Sequence, residues 1–217
     1  MDDIPPFERR NLHSSEDRGD AYELFVLEAL ASEGEAPRLK RYEGRGPDGA
    51  IDLISESAGP RCVVECKAFG EDRQGKPRED WVTVRRRLRN NLIFENGRFA
   101  GRAQYAPWAD RDVPIDQYWF CTSGLFANPN DETTLREEIT EFFRDEIGQR
   151  PGFEHLRELT VVTRDWSDFA EILRGDPPLR FRWFRDALPR GLRRLDSGLI
   201  SSGFRSFLRG TRLPYYS

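Results

Sequence analysis

Residues 47–67, PDGAIDLISESAGPRCVVECK, contain two apolar runs separated by a turn, and they decide the fold of this 217-residue chain. AIDLIS and RCVVECKAF are rich in Ile, Leu, Val and Cys, which favours β-strands, and SAGP between them is typical of a turn. With the turn centred on residues 57–60, the strands are predicted to form an antiparallel hairpin in which paired residue numbers sum to about 117. Asp52 is then expected opposite Glu65.

The two strands of this hairpin place chemical groups on one face. Alternate residues of a strand share a face, so Glu65 and Lys67 are expected to point the same way, with Cys66 on the other side. Carboxylates inside apolar strands need a partner or a metal, and a hard divalent cation relieves the repulsion between two of them. Ligands that are all oxygen favour Mg²⁺ or Mn²⁺ over zinc. A lysine beside such an ion can position or deprotonate water, or neutralise charge on a phosphorane, so the set favours phosphodiester hydrolysis.

These residues resemble the PD-(D/E)XK nuclease superfamily, particularly its Mrr-like restriction endonuclease branch. The resemblance rests on PDGAID (47–52), VVECK (63–67), the Tyr22-Glu23 pair and the strand IDQYWFCTSG (115–124), and it covers residues 20–173. It implies an α/β, restriction-endonuclease-like sandwich with a central mixed β-sheet flanked by helices. Glu65 stands where the Mrr branch commonly has glutamine, but it agrees with the wider superfamily.

The resemblance also implies residue roles. Asp52 and Glu65 would be ligands of Mg²⁺, with Mn²⁺ as a substitute, and the carbonyl of Cys66 would add a further oxygen ligand. Lys67 would handle the water, and Glu23 would complete the acidic cluster.

Three alternatives stay open from the residues alone. The literal Pro-Asp pair ends at Asp48, although the hairpin register favours Asp52. Asp52 could instead cap a turn while Glu65 and Lys67 form a surface ion pair. Glu23 could equally be a solvated helix residue.

With the hairpin included, the order of elements along the chain is predicted to be α-β-β-β-α-β-α-β-α, which indicates an α/β sandwich with a mixed sheet. Residues 1–19 are expected to be flexible, 20–176 to form the nuclease domain, and 177–217 to be an arginine-rich tether or docking helix. Two predicted helices have inward apolar faces, formed by Trp81, Val84, Leu88 and Leu92 in the first and by Leu135, Ile139, Phe142 and Phe143 in the second. The long loop 95–113 is expected to be anchored by Tyr105 and Trp108.

Charge is unevenly distributed along the chain. The net charge is −4, yet nine arginines against two aspartates make residues 180–217 locally +7. On the helix after the hairpin, Arg85, Arg86 and Arg89 are expected to face outward and to contact nucleic-acid phosphates, or else to form a solvated face. The three cysteines have no CxxC spacing, so buried thiols are expected rather than disulfides or zinc.

The functional prediction is a Mg²⁺-dependent endodeoxyribonuclease, the effector of a restriction or anti-phage defence system. It would be cytoplasmic, with no membrane segment, and would act on DNA. A C-terminal sensor or STAND-type ATPase and oligomerisation are expected to activate it. The alternatives are a catalytically inactive nucleic-acid or partner-binding module, or an RNA-cutting nuclease.

Overall fold

The computed structural model of the chain describes residues 4, 7, 15–33, 38–42, 49–55, 61–68 and 77–184. The helices are α1 (Ser15–Glu33), α2 (Pro77–Asn91), α3 (Pro129–Glu141), α4 (Trp166–Gly175) and α5 (Pro177–Trp183). The strands are β1 (Leu39–Arg41), β2 (Leu53–Ser55), β3 (Arg61–Lys67), β4 (Phe94–Glu95), β5 (Arg98–Phe99), β6 (Ile115–Thr122) and β7 (Thr160–Arg164). The predicted order of elements is confirmed, with the β4–β5 hairpin and α5 in addition.

The centre of the fold is a mixed five-stranded sheet with strand order β1-β2-β3-β6-β7. The first three strands are antiparallel neighbours, whereas β3–β6 and β6–β7 are parallel. Both faces of the parallel part are covered, which is why β3 and β6 read as nearly continuous apolar runs. The molecule is therefore α/β, as the sequence predicts.

Each face of the sheet carries its own apolar cluster. Helices α1, α4 and α5 bury residues such as Phe25, Phe169 and Trp183 on one face. On the other, α2, α3 and the 95–113 region meet around Trp81 and Tyr118. All the residues predicted to face inward are buried: Trp81, Val84, Leu88, Leu92, Leu135, Ile139, Phe142, Phe143, Tyr105 and Trp108.

Helix α3 continues directly into a π-helical segment, Phe142–Ile147. Phe142, Phe143 and Ile147 of this wider turn are buried in the core. Glu146 faces α2, where it pairs with Arg85. The expected loop 95–113 also contains a 3₁₀ helix, Ala103–Ala109, whose Tyr105 and Trp108 are the predicted anchors.

The boundaries of the domain differ from those expected. Helix α1 begins at Ser15 rather than Asp20, and Phe7 is 1% exposed, so the expected flexible 1–19 segment does not hold at these positions. At the other end, α5 extends the folded body past residue 176, because Leu179 and Trp183 pack into the α1 face. The remaining arginine-rich segment, 185–217, lies outside the described residues.

No helix in the described part of the chain is both long and apolar enough to span a bilayer. The three cysteines are free and buried, as predicted.

Phe7 tests whether the N-terminal residues belong to the folded body. Its ring centroid lies 5.1 Å from that of Tyr22 and 5.4 Å from that of Phe25. Phe7→Ala is expected to lower the free energy of unfolding by about 3–5 kcal/mol, because it empties a buried aromatic site. Leu24→Ala is the matched control, since Leu24 is exposed on α1. Equal urea midpoints for both variants would contradict the assignment.

Candidate functional site

The hairpin of β2 and β3 has the predicted register. Leu53 pairs with Val64 and Ile54 with Val63, so the residue numbers in each pair sum to 117. Asp52 lies immediately before the ladder, and its backbone N–H donates to the Val64 carbonyl at 2.8 Å. Its Oδ2 accepts from the backbone N–H of Cys66 at 2.5 Å. Asp52 is thereby held beside Glu65, as the sequence predicts, although it lies outside the strand proper.

The turn that delivers Asp52 is pinned by the 3₁₀ helix. The Trp108 indole donates to the Gly49 carbonyl at 2.9 Å. A Cβ at Gly49 would lie 2.2 Å from the Gln104 carbonyl oxygen, so only glycine fits there. Ala50 follows with φ at 56°, a left-handed conformation that costs a non-glycine residue roughly 1–2 kcal/mol. The approach to Asp52 is therefore a strained, fixed turn.

Strand alternation separates β3 into two faces, as expected. Val64 and Cys66 pack into the α1 cluster and Val63 into the α2 cluster. Glu65 and Lys67 form an ion pair between Oε1 and Nζ, in which the Glu65 side chain is 1% exposed and that of Lys67 is 21% exposed. Lys67 thus lies at the rim of a site whose acid is inside.

Glu65 has an unusual hydrogen-bonding state. Apart from its ion pair with Lys67, neither carboxylate oxygen accepts a hydrogen bond from the described residues. A buried carboxylate normally fills its acceptor positions, because leaving them empty costs free energy. Oε2 is therefore open to a cation, whereas at Oε1 a cation would compete with Lys67.

Electrostatics couples the acids of the site. Burial raises the pKa of Asp52 well above its usual value, and the negative charges of Glu65 and Glu23 raise it further. Lys67 and the Cys66 N–H act in the opposite direction. When ionised, Asp52 and Glu65 together with the Lys67 ammonium carry a net charge of −1, and the ion pair of Glu23 with Arg41 adds no net charge, so a cation would relieve the remaining repulsion between the two acids.

Glu23 of α1 is close enough to Asp52 for its charge to raise the pKa of that carboxyl. Arg41 of β1 donates to Glu23 Oε2 through Nε at 3.1 Å and Nη2 at 2.8 Å. The same Nη2 lies 3.1 Å from Asp20 Oδ1. Arg41 pairs with Leu53 in the sheet, next to Asp52. Sequence reasoning missed Arg41, because only the β1–β2 pairing reveals that this arginine borders the site.

Two further expected site residues have different outcomes. Burial raises the pKa of the Cys66 thiol, which packs on the α1 face, and the carbonyl ligand role of Cys66 stays a prediction. Asp48, the literal partner of Pro47, lies outside the described residues.

The donor set fits a hard cation with few protein ligands. Mg²⁺ is commonly held by one or two carboxylates, with waters and substrate phosphate completing its shell. Asp52 and Glu65 are two such carboxylates, and the Glu65 oxygens lack hydrogen bonds from the described residues. A group of three or more His, Cys, Asp or Glu side chains able to hold a metal is not found in the described ranges.

The expected phosphate-binding arginines are largely occupied by Glu146. Arg85 Nη2 lies 3.0 Å from Glu146 Oε2, and Arg89 Nη2 lies 2.7 Å from the same oxygen. Arg85 also stacks on Phe142, 5.4 Å from the ring centroid. Arg86 is exposed. Two of the three arginines thus connect α2 to the π-helical segment, while Arg86 and Arg89 are exposed, as expected, and Arg85 is half-buried.

A separate cavity of about 540 Å³ lies between the end of α1 and the α4–α5 junction. Arg164 at its wall pairs with Glu33 at 3.6 Å and Asp168 at 3.5 Å. None of the hairpin acids lines it. The cavity is therefore distinct from the hairpin site.

Comparison of the chain with protein-family models, with curated proteins and with solved structures gives no match.

The Glu65–Lys67 pair makes a prediction about stability without metal. In EDTA, Lys67→Met is expected to lower the free energy of unfolding by about 3 kcal/mol, because it leaves Glu65 buried without its counter-ion. The double variant Glu65→Leu/Lys67→Met is expected to regain most of this loss. Lys40→Met, at an exposed lysine of β1, is the control. Urea unfolding measures all four proteins, and wild-type stability in Lys67→Met would contradict the buried pair.

Proposed function

We propose that this chain is a metal-dependent nuclease that hydrolyses the phosphodiester bonds of DNA. The observation that carries the proposal is the hairpin register, because it brings Asp52, Glu65 and Lys67 to one place. The proposal also draws on the resemblance of these residues to the PD-(D/E)XK pattern. The mixed sheet with helices on both faces is compatible with a restriction-endonuclease-like sandwich.

In this proposal each residue has a distinct task. Asp52 and Glu65 would hold a Mg²⁺ ion, which would lower the pKa of water and neutralise phosphate charge. The Cys66 N–H orients Asp52 toward the site. Lys67, at the rim, positions the attacking water or neutralises charge that builds on the phosphate. Glu23 adds negative charge to the site.

The biological setting follows from the same resemblance. We propose a cytoplasmic effector of restriction or anti-phage defence, activated through oligomerisation by a sensor or STAND-type ATPase. Residues 185–217, which carry seven arginines against two aspartates, suit a tether or a nucleic-acid contact. Cleavage of RNA instead of DNA would use the same groups.

A second candidate is a nucleic-acid or partner-binding module without catalysis. It is favoured by the ion pair in which Lys67 already compensates Glu65. It is also favoured by the small number of metal donors, because the described residues contain no group of three or more His, Cys, Asp or Glu side chains that could hold a metal. The two candidates differ in whether the site binds a divalent cation.

Cleavage of plasmid DNA in Mg²⁺, followed on agarose gels, tests the catalytic proposal. Lys67→Ala is expected to lower the rate by about 10²–10⁴-fold, since it removes the group that handles the proton or charge. Asp52→Asn is expected to abolish cleavage, as EDTA does. Lys40→Ala and Asp112→Asn, changes of the same kind at exposed residues, should leave the rate unchanged. Full cleavage by Asp52→Asn or Lys67→Ala would remove those residues from the mechanism.

Calorimetry with Mn²⁺ separates the two candidates without requiring activity. Wild-type protein is expected to bind one or two ions, and Glu65→Gln is expected to lose that binding because a neutral amide is a poor ligand for a hard cation. Glu95→Gln, at the exposed residue of β4, is the matched control. Heat of binding that is unchanged in Glu65→Gln would favour the non-catalytic module.

A further inference from the structure

Arg41 occupies a position that the nuclease chemistry alone does not require. It lies on β1 at the edge of the sheet, and its side chain is 45% exposed. Its guanidinium contacts two acids of α1 that are one turn apart, Asp20 and Glu23. Glu23 is one of the charges that raise the pKa of Asp52. Arg41 therefore connects solvent to the acidic cluster of the candidate metal site.

The ion pairs of Arg41 are too exposed to be important for the fold. Asp20 is 70% exposed, and exposed pairs typically contribute about 0–1 kcal/mol to stability. The contact with Glu23, which is 20% exposed, is the more sheltered of the two. An arginine fork also suits phosphate, which it binds with the same geometry as carboxylate.

We propose that Arg41 is a positioning residue that holds Glu23 in an ion pair and so lowers the affinity of the site for a divalent cation until a nucleic-acid phosphate takes over its guanidinium. This inference rests on the proposed function. Arg41 and the cation compete for the same negative charge, since both are attracted to Glu23. A phosphate that engages Arg41 leaves the charge of Glu23 to the cation.

Competition of this kind links two binding events. If phosphate binding at Arg41 strengthens cation binding, then cation binding strengthens phosphate binding by the same factor. The protein would then fill its metal site mainly when nucleic acid is present. Such coupling would keep the site under-occupied in the absence of substrate.

The test is calorimetric titration of the whole chain with Mn²⁺ in the absence of DNA. Arg41→Gln is expected to tighten Mn²⁺ binding about tenfold, which lies within the usual range of coupling between sites. In a Glu23→Gln background, Arg41→Gln is expected to tighten Mn²⁺ binding much less. Arg182→Gln is the matched control, because Arg182 pairs at 2.9 Å with Glu28, which lies on α1 like Glu23. It should leave Mn²⁺ affinity unchanged.

A second readout follows the phosphate side. Binding of a fluorescein-labelled DNA duplex in metal-free buffer is expected to weaken in Arg41→Gln, with the slope of log affinity against log salt reduced by about 0.9 for one lost phosphate contact. Circular dichroism of each variant checks that it is folded.

The outcomes are distinguishable. If wild-type protein binds Mn²⁺ through Glu65 but Arg41→Gln does not tighten it, the role of Arg41 is wrong and the nuclease proposal stands. Equal tightening with and without Glu23 would reduce the effect to general charge removal and overturn the inference. If wild-type protein binds no Mn²⁺, both proposals fail.

Discussion

The antiparallel pairing of β2 with β3 is the constraint on which the site depends. One ladder, Leu53 with Val64 and Ile54 with Val63, sets which residues meet across the hairpin. A slip of one residue would turn Glu65 and Lys67 to the α1 face and bring Cys66 to the α2 face. The register is protected because β3 is apolar on both faces and is fixed on its other side by parallel pairing with β6.

Around this hairpin the fold supplies support from both layers. The α2 face anchors the turn before Asp52 through the Trp108–Gly49 hydrogen bond. The α1 face brings Glu23, and β1 brings Arg41 to it. At the end of β3 the Lys67 carbonyl accepts from the Ser123 N–H at 2.9 Å. The acids are thus positioned by backbone contacts and buried aromatic side chains rather than by flexible loops, which suits a site that needs fixed geometry.

Much of this arrangement could be predicted from the sequence, because it follows from local rules. Alternation placed Glu65 with Lys67, the turn length set the partner of Asp52, and helical periodicity identified buried residues such as Trp81 and Leu88. Contacts between distant segments could not be predicted. Glu146, in the π-helical segment after α3, pairs with Arg85 and Arg89 of α2, and Phe7 packs against aromatic rings of α1, α4 and α5. Nothing local signals such contacts.

The central claim is that Asp52 and Glu65 share one divalent cation. Anomalous diffraction from crystals soaked in Mn²⁺ tests this claim most directly, since it locates the ion without reference to activity. The account predicts a strong peak within coordinating distance, roughly 2.0–2.3 Å, of carboxylate oxygens from both residues. Mn²⁺ peaks that lie elsewhere in the crystal, with Glu65 still paired only with Lys67, would contradict the claim.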